Sequence, residues 1–187
     1  MEELLNYLNG IHPLSENLVD FLSRTLKTKK LLKKDYLLKK GHVSRDICFI
    51  NKGLLRCFYM VDNKEVCSWF MKEGDVIVSV DSFFNQTESY ESIQALEDCI
   101  VHYITHDELE FIYNTFPEFN FVGRVVLTKY YILSEQRLRN MRMLRAVERY
   151  SYILENHPEL VLRVPNKYIA SYLGVAEPTL SNIKGSL

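Results

Sequence analysis

Five histidines and four cysteines are the residues of this 187-residue chain best suited to metal or covalent chemistry, and their spacing supports neither. A metal-dependent enzyme on a β-barrel scaffold needs two or three histidines converging with a carboxylate, often as H-x-H near a glutamate. His12, His42, His102, His106 and His157 include no such pair, and His102 and His106 straddle a strand end, so they need not share a face. Cys48, Cys57, Cys67 and Cys99 are widely spread without a C-x-x-C pair, which suits separate buried thiols in a reducing cytoplasm and not a zinc or iron–sulfur site. No Gly-rich phosphate loop and no nucleophile motif is present. The chain is therefore read as a non-enzyme with no metal and no cofactor. One polar run remains. Ser79, Asp81, Ser82, Asn85, Ser89 and Tyr90 could line a small-molecule pocket, or could form a surface loop that holds no ligand.

These residues are positioned by elements organised around PEFNFVGRVVLTKYYILSEQRLRNMRML, from Pro117 to Leu144. Apolar residues at Phe119, Val122, Val126, Tyr130 and Leu133, then Met141 and Leu144, follow helical spacings. Phe121, Val125, Leu127, Ile132 and Leu138 widen the stripe beyond one face. Such a helix spans roughly 40 Å at about 1.5 Å per residue. One small domain does not cover two faces of so long a rod. The rod is read as shared, one face on its own domain and another on a second copy, with Val122, Val126, Tyr130 and Leu133 as dimer-helix residues. An ordinary core helix of a larger α domain is the alternative.

Hydrophobic residues make up 47% and charged residues 25%, so the chain should fold. Its charge is uneven: Met1 to Pro117 holds 13 basic and 18 acidic residues, Glu118 to the end 10 basic and 6 acidic. A polyanion would meet the back half. The start, MEELLNYLNG, is not a secretory signal, and no apolar run is long enough to span a membrane, so a cytoplasmic protein with no membrane partner is expected.

Along the chain, Ser15 can cap a short helix carrying Leu18, Phe21, Leu22 and Leu26 on one face. Lys27 to Lys40 holds seven lysines among leucines. This reads as half-solvated strands with lysine outside, which also discourages sheet-to-sheet pairing, rather than as a nucleic-acid patch. Tyr36 to Ile104 has β character. Hairpins are expected at Asn51-Lys52-Gly53 and Asp62-Asn63-Lys64, a further turn at Glu73-Gly74-Asp75, and IQALEDCIVHYI closes the series. An antiparallel barrel or roll follows. His106 to Leu109 opens a helix that Pro117 ends or re-aims, and after Leu144 helix continues towards His157-Pro158. VPNKYIASYLGVAEPTLSNIKGSL reads helix, turn at Leu173-Gly174-Val175, helix. Ile169, Ala170 and Leu173 face inward, and Gly174 takes the positive φ of the turn.

A β-roll, a long helix and a helix-turn-helix in that order resemble the Crp/Fnr family of bacterial transcription regulators. The resemblance rests on FINKGLLR, KEGDV, ALEDC and IASYLGVAEPTLSNI, the last close to I-A-x-x-L-G-[VI]-[ST]-P-E-T-L-S-R-[IL]. It implies an α+β chain in three parts: a cyclic-nucleotide-binding-like antiparallel β-roll as sensor over 1–116, a dimerisation helix over 117–143, and a small winged-helix/helix-turn-helix DNA-binding domain over 144–187. It implies a homodimer that binds DNA through the second helix of the motif, with an unidentified small-molecule effector as a further candidate partner. Lys167, Glu177, Thr179, Ser181, Asn182 and Lys184 are then the DNA-facing residues. Two departures matter. Members that bind cyclic nucleotides carry Gly-Glu and Arg-Ser or Arg-Thr for the ribose and the phosphate. Aligned without a gap, those positions are Val78-Ser79 and Ser89-Tyr90, and no arginine stands between Arg56 and Arg124. In the recognition helix, Ala176 and Asn182 replace the capping Ser/Thr and the arginine. A sensor that does not use cyclic AMP in the usual way is expected. The alternative is a ligand-sensing or protein-interaction dimer with a degenerate DNA-binding end.

Overall fold

The computed structural model describes residues 1–186. Two short helices open the chain, α1 (Glu2–Ile11) and α2 (Glu16–Thr25). Ser15 caps α2, its Oγ accepting from Leu18 N at 3.3 Å. The sequence reading had no counterpart to α1, although Leu4 and Leu8 sit one turn apart and both are buried.

Eight strands follow: β1 (Lys27–Leu31), β2 (Tyr36–Leu38), β3 (Asp46–Lys52), β4 (Leu55–Val61), β5 (Lys64–Met71), β6 (Val76–Ile77), β7 (Glu91–Ala95) and β8 (Cys99–Thr105). They form two antiparallel sheets with orders β1-β8-β3-β6 and β2-β7-β4-β5. β2, which holds no lysine, is an edge strand, and so is the lysine-rich β1, where four of the five residues are exposed and the strand ends on buried Leu31. Lysine there blunts an open edge.

This topology corrects one expectation. Asn51-Lys52-Gly53 is not a hairpin turn, because β3 and β4 lie in different sheets. The chain crosses between sheets at Gly53-Leu54. Gly53 has φ +105°, and a Cβ there would fall 2.8 Å from Cys99 Cα and 2.9 Å from Asp98 O. Only glycine fits that approach. Asp62-Asn63 does join paired strands, with φ of +49° and +61° at its two residues, the signs a type I′ turn requires.

Between β6 and β7 runs a short helix, α3 (Val80–Asn85), unanticipated because six residues leave little periodicity to read. After β8 come α4 (His106–Thr115) and the long α5 (Pro117–Met143). Thr105 and Glu108 cap α4 reciprocally. The helices α6 (Ala146–Asn156), α7 (Pro158–Arg163), α8 (Asn166–Leu173) and α9 (Glu177–Ser186) complete the chain. Helix does not run on through Leu144: Arg145 is extended, and its N–H donates to Glu148 Oε2 at 2.7 Å to start α6. Among the described residues no strand follows β8.

Two compact units result: Met1–Cys57 with Met71–Thr128, and Phe58–Phe70 with Lys129–Leu187. In the first, Leu4, Leu8, Leu18, Leu22, Phe49, Phe83, Leu109, Ile112, Phe119 and Val122 share one core. In the second, Tyr150, Ile153, Leu160, Ile169, Leu173, Leu180 and Ile183 are buried. Among the described residues no helix is long and apolar enough to cross a membrane.

Candidate functional site

The C-terminal pair α8 and α9 is set by three features of the sequence. Ile169, Ala170 and Leu173 bury one face of α8, and Leu180 and Ile183 one face of α9. Gly174 ends α8 in the left-handed region at φ +68°, its N–H donating to Ser171 O. Ala176 precedes α9 and brings no side-chain oxygen to its free N–H groups, so the first turn lacks a hydroxyl cap.

Glu177, Thr179, Ser181 and Asn182 are exposed on α9, and Lys167 is exposed on α8. Ser181 Oγ donates back to Glu177 O at 3.2 Å. Lys184 differs: half-buried, it donates Nζ to Asn166 Oδ1 at 2.5 Å and lies over the Tyr150 ring. Of the six DNA-facing candidates, five therefore face solvent and Lys184 ties α9 to its own unit. From Pro158 onward there are three basic and two acidic residues, a weak field for a polyanion.

In the roll, the positions aligned with the nucleotide-binding Glu and Arg come together. Ser79 Oγ and Ser89 Oγ are 3.0 Å apart, both side chains buried. Ser89 Oγ also donates to Glu91 O at 2.9 Å and accepts from Glu91 N at 3.2 Å. Burial raises the Glu91 carboxyl above its ordinary range, opposed by a hydrogen bond from Ser79. Ser82, also buried, accepts from Ser44 N at 2.8 Å and donates to Thr87 O at 2.5 Å. Asp81 and Asn85 are exposed and bond each other at 2.8 Å, and Tyr90 is exposed. The six candidates thus divide into a buried serine network and three solvent-facing residues.

None of the six lines the roll's large cavity, a space of about 430 Å³. Its walls include Leu38, Val43, Cys48, Ile77, Val78 and Ile93, and Lys39, His42, Arg45 and Asp46 supply charge or polarity. Sequence reasoning missed this basic group, although Lys39 to Arg45 reads KKGHVSR and its charge was there to see. It also missed Arg56, buried and donating Nε and Nη2 to Gln94 Oε1 at 3.1 and 2.7 Å.

His102 and His106 do not converge. His102 Nδ1 bonds Thr28 Oγ1 at 2.9 Å, whereas the His106 ring packs on Phe83. Among the described residues no three His, Cys, Asp or Glu side chains form a metal-sized group. The four cysteines are free and buried, and burial pushes the Cys48 thiol up to about 12.

Along α5, Val122 is buried in its own unit's core and Val126 packs against the same core. Tyr130 and Leu133 are half-buried. The residues left open are Phe121, Leu127, Tyr131, Ile132, Leu138 and Met143. Tyr131 is 67% exposed and Ile132 49%.

Residues 28–116 match the sequence family described as "Cyclic nucleotide-binding domain". No curated protein matches the chain significantly. Among solved structures, the fold is similar to FixK2 from Bradyrhizobium japonicum, with 17% identity, 87% of this chain and 84% of that chain covered, and a TM-score of 0.73. It is similar to the c-di-GMP responsive global regulator CLP of Xanthomonas campestris, with 13% identity, 92% and 91% covered, and a TM-score of 0.73. The Thermus thermophilus catabolite activator protein matches with 16% identity, 97% and 86% covered, and a TM-score of 0.59. The chain has the fold of the Crp/Fnr-type regulators, with a cyclic nucleotide-binding domain followed by a long helix.

Proposed function

We propose that this chain, a cyclic nucleotide-binding domain in a Crp/Fnr-type fold, is a cytoplasmic, non-catalytic transcription regulator that binds DNA as a homodimer. The observation that carries the reading is the pair α8 and α9. Its inner faces are buried, and Glu177, Thr179, Ser181 and Asn182 stand free on the second helix, as a helix entering a major groove requires. Lys167, exposed at the start of α8, is the candidate phosphate contact in this reading. The open apolar face of α5 is offered to a second copy, which would set two such helices for two half-sites.

The sensor is read as responding to something other than cyclic AMP bound in the family's usual manner. Ser89, at the position aligned with the arginine that would meet the cyclic phosphate, lies beside Ser79 and the buried acid Glu91, which supports this reading. An effector would find its room in the 430 Å³ cavity, against apolar walls and the rim of Lys39, His42 and Arg45.

The weak positive charge after Pro158 and the tethering of Lys184 favour a second reading, a ligand-sensing or protein-interaction dimer whose DNA-binding end is degenerate. Titration with mixed-sequence DNA at low and raised salt separates the two. A DNA binder shows affinity falling steeply with salt. No measurable binding at low salt rejects the first reading in favour of the second.

A further inference from the structure

A second recess lies wholly within the C-terminal unit, walled by α5, α6, α8 and β5. Its walls carry Trp69, Arg137, Arg149, Tyr152, His157 and Tyr172. The Arg137 guanidinium lies 3.6 Å from the Tyr172 ring centroid, and its Nη2 donates to Tyr172 O at 3.0 Å. A ring and neutral carbonyls hold it. Arg149 donates Nη1 to Leu144 O at 2.7 Å, and its Nε is buried with no hydrogen-bond partner.

Two permanently charged guanidinium groups therefore line one recess, and no carboxylate is among its wall residues. Buried donors without an acceptor and like charges without a counter-charge are both unfavourable. An anion in the recess supplies the counter-charge that the two guanidinium groups lack. Gln136 and Asn140, one turn apart on α5, add neutral polar groups to the wall. The enclosed space is about 50 Å³. That holds an anionic head group but not a ring, so a ring attached to it rests at the mouth, on the aromatic wall.

We propose that this recess binds a small aromatic carboxylate, its anionic group drawn to the Arg137 and Arg149 guanidinium groups and its ring lying against Trp69 and Tyr152. The site is separate from the roll cavity, and it does not depend on whether the chain binds DNA.

Trp69 is the one tryptophan of the sequence, so intrinsic fluorescence reads this recess directly. The intact protein is titrated with benzoate, with inorganic phosphate as a charge-only probe and benzyl alcohol as a ring-only probe. Benzoate should change Trp69 emission saturably, at least about tenfold more tightly than either control, since both charge and ring contribute. Arg149→Met should weaken benzoate about tenfold or more, with Arg149→Lys in between. Because Arg149 also holds Leu144, Tyr152→Leu serves as the second variant: it should weaken benzoate while the thermal midpoint stays in place. No saturable signal, equal affinity for benzyl alcohol, or unchanged affinity in both Arg149→Met and Tyr152→Leu overturns the proposal. DNA binding measured on the same preparations fails or succeeds separately.

Discussion

Ser79 Oγ and Ser89 Oγ face each other at 3.0 Å in the buried part of the roll. Alignment places them where members that bind cyclic nucleotides carry a glutamate and an arginine. Two hydroxyls bring no positive charge to a phosphate, and Glu91 adds an acid beside them. Cyclic AMP should accordingly bind with a dissociation constant weaker than about 100 µM, where an arginine–phosphate pair would give far tighter binding. Calorimetry yielding a low-micromolar constant for the purified protein would refute this.

Glu91 itself gives a pH-dependent prediction. Its folded-state value lies above the ordinary 4.5, with burial the largest cause. The stabilising contribution is thus fully present below the ordinary glutamate range and is lost as pH rises through the folded value. Glu91→Gln keeps an oxygen for the Ser79 hydroxyl and has no charge to bury. Thermal midpoints should show the variant gaining on the parent more at about pH 7.5 than at about pH 4. An equal difference at both values would mean that Glu91 ionises freely in the fold.

The crossing between sheets at Gly53 makes a sharp stability test. Its φ of +105° and the nearness of the Cys99 backbone leave no room for a methyl group. Gly53→Ala should destabilise by at least about 2 kcal/mol through strain and collision together. Gly74→Ala, at φ +83° with nothing within 4 Å, pays the conformational part alone and should lose less. Denaturant midpoints that rank the two the other way would sink the account.

Much of this fold was legible because its cues are local. Ser15 before an amphipathic run, Asp62-Asn63 between strands and Gly174 after Leu173 each state a geometry in a few residues. What was hidden depends on partners distant in sequence. Gly53 looks like a hairpin glycine until the pairing of β3 with β8 and β6, and of β4 with β7 and β5, is known. Ser79, Ser82 and Ser89 read as pocket residues because nothing local says that they bond to each other, to Ser44 and to Glu91. The apolar stripe of α5 was plain, but its division into an inner face at Val122 and an open one at Ile132 depends on where α1, α2 and α4 pack.

That division refines the test of dimerisation. Charged replacement at Val126 disturbs the unit's own core as well as any partner contact. Leu127→Glu with Ile132→Glu acts on side chains that are exposed in the single chain. The double variant should sediment as a monomer with its fold retained, whereas the unmodified protein should sediment as a dimer at micromolar concentration. A monomeric unmodified protein would end the shared-rod reading.

Helix α9 carries the remaining prediction. Ala176 leaves the start of α9 without a hydroxyl cap. Ala176→Ser should add about 1 kcal/mol to the stability of this helix, a rise of about 2–4 °C in a thermal transition. Affinity for DNA should follow charge and base contacts more than this cap. Asn182 stands exposed on α9 where the family form has arginine. A bidentate arginine–guanine contact discriminates by roughly 1–3 kcal/mol in each half-site, whereas asparagine pairs in the same two-pronged way with adenine. Sequences selected from a random library by the unmodified protein should form a weak palindrome without strong guanine preference at the position facing residue 182. Asn182→Arg should introduce that preference and tighten binding, with a steeper dependence on salt, because each protomer gains one cation at the groove. If the unmodified protein instead selects guanine there, and Asn182→Ala abolishes the selection, asparagine is reading the base by a geometry this helix was not expected to provide.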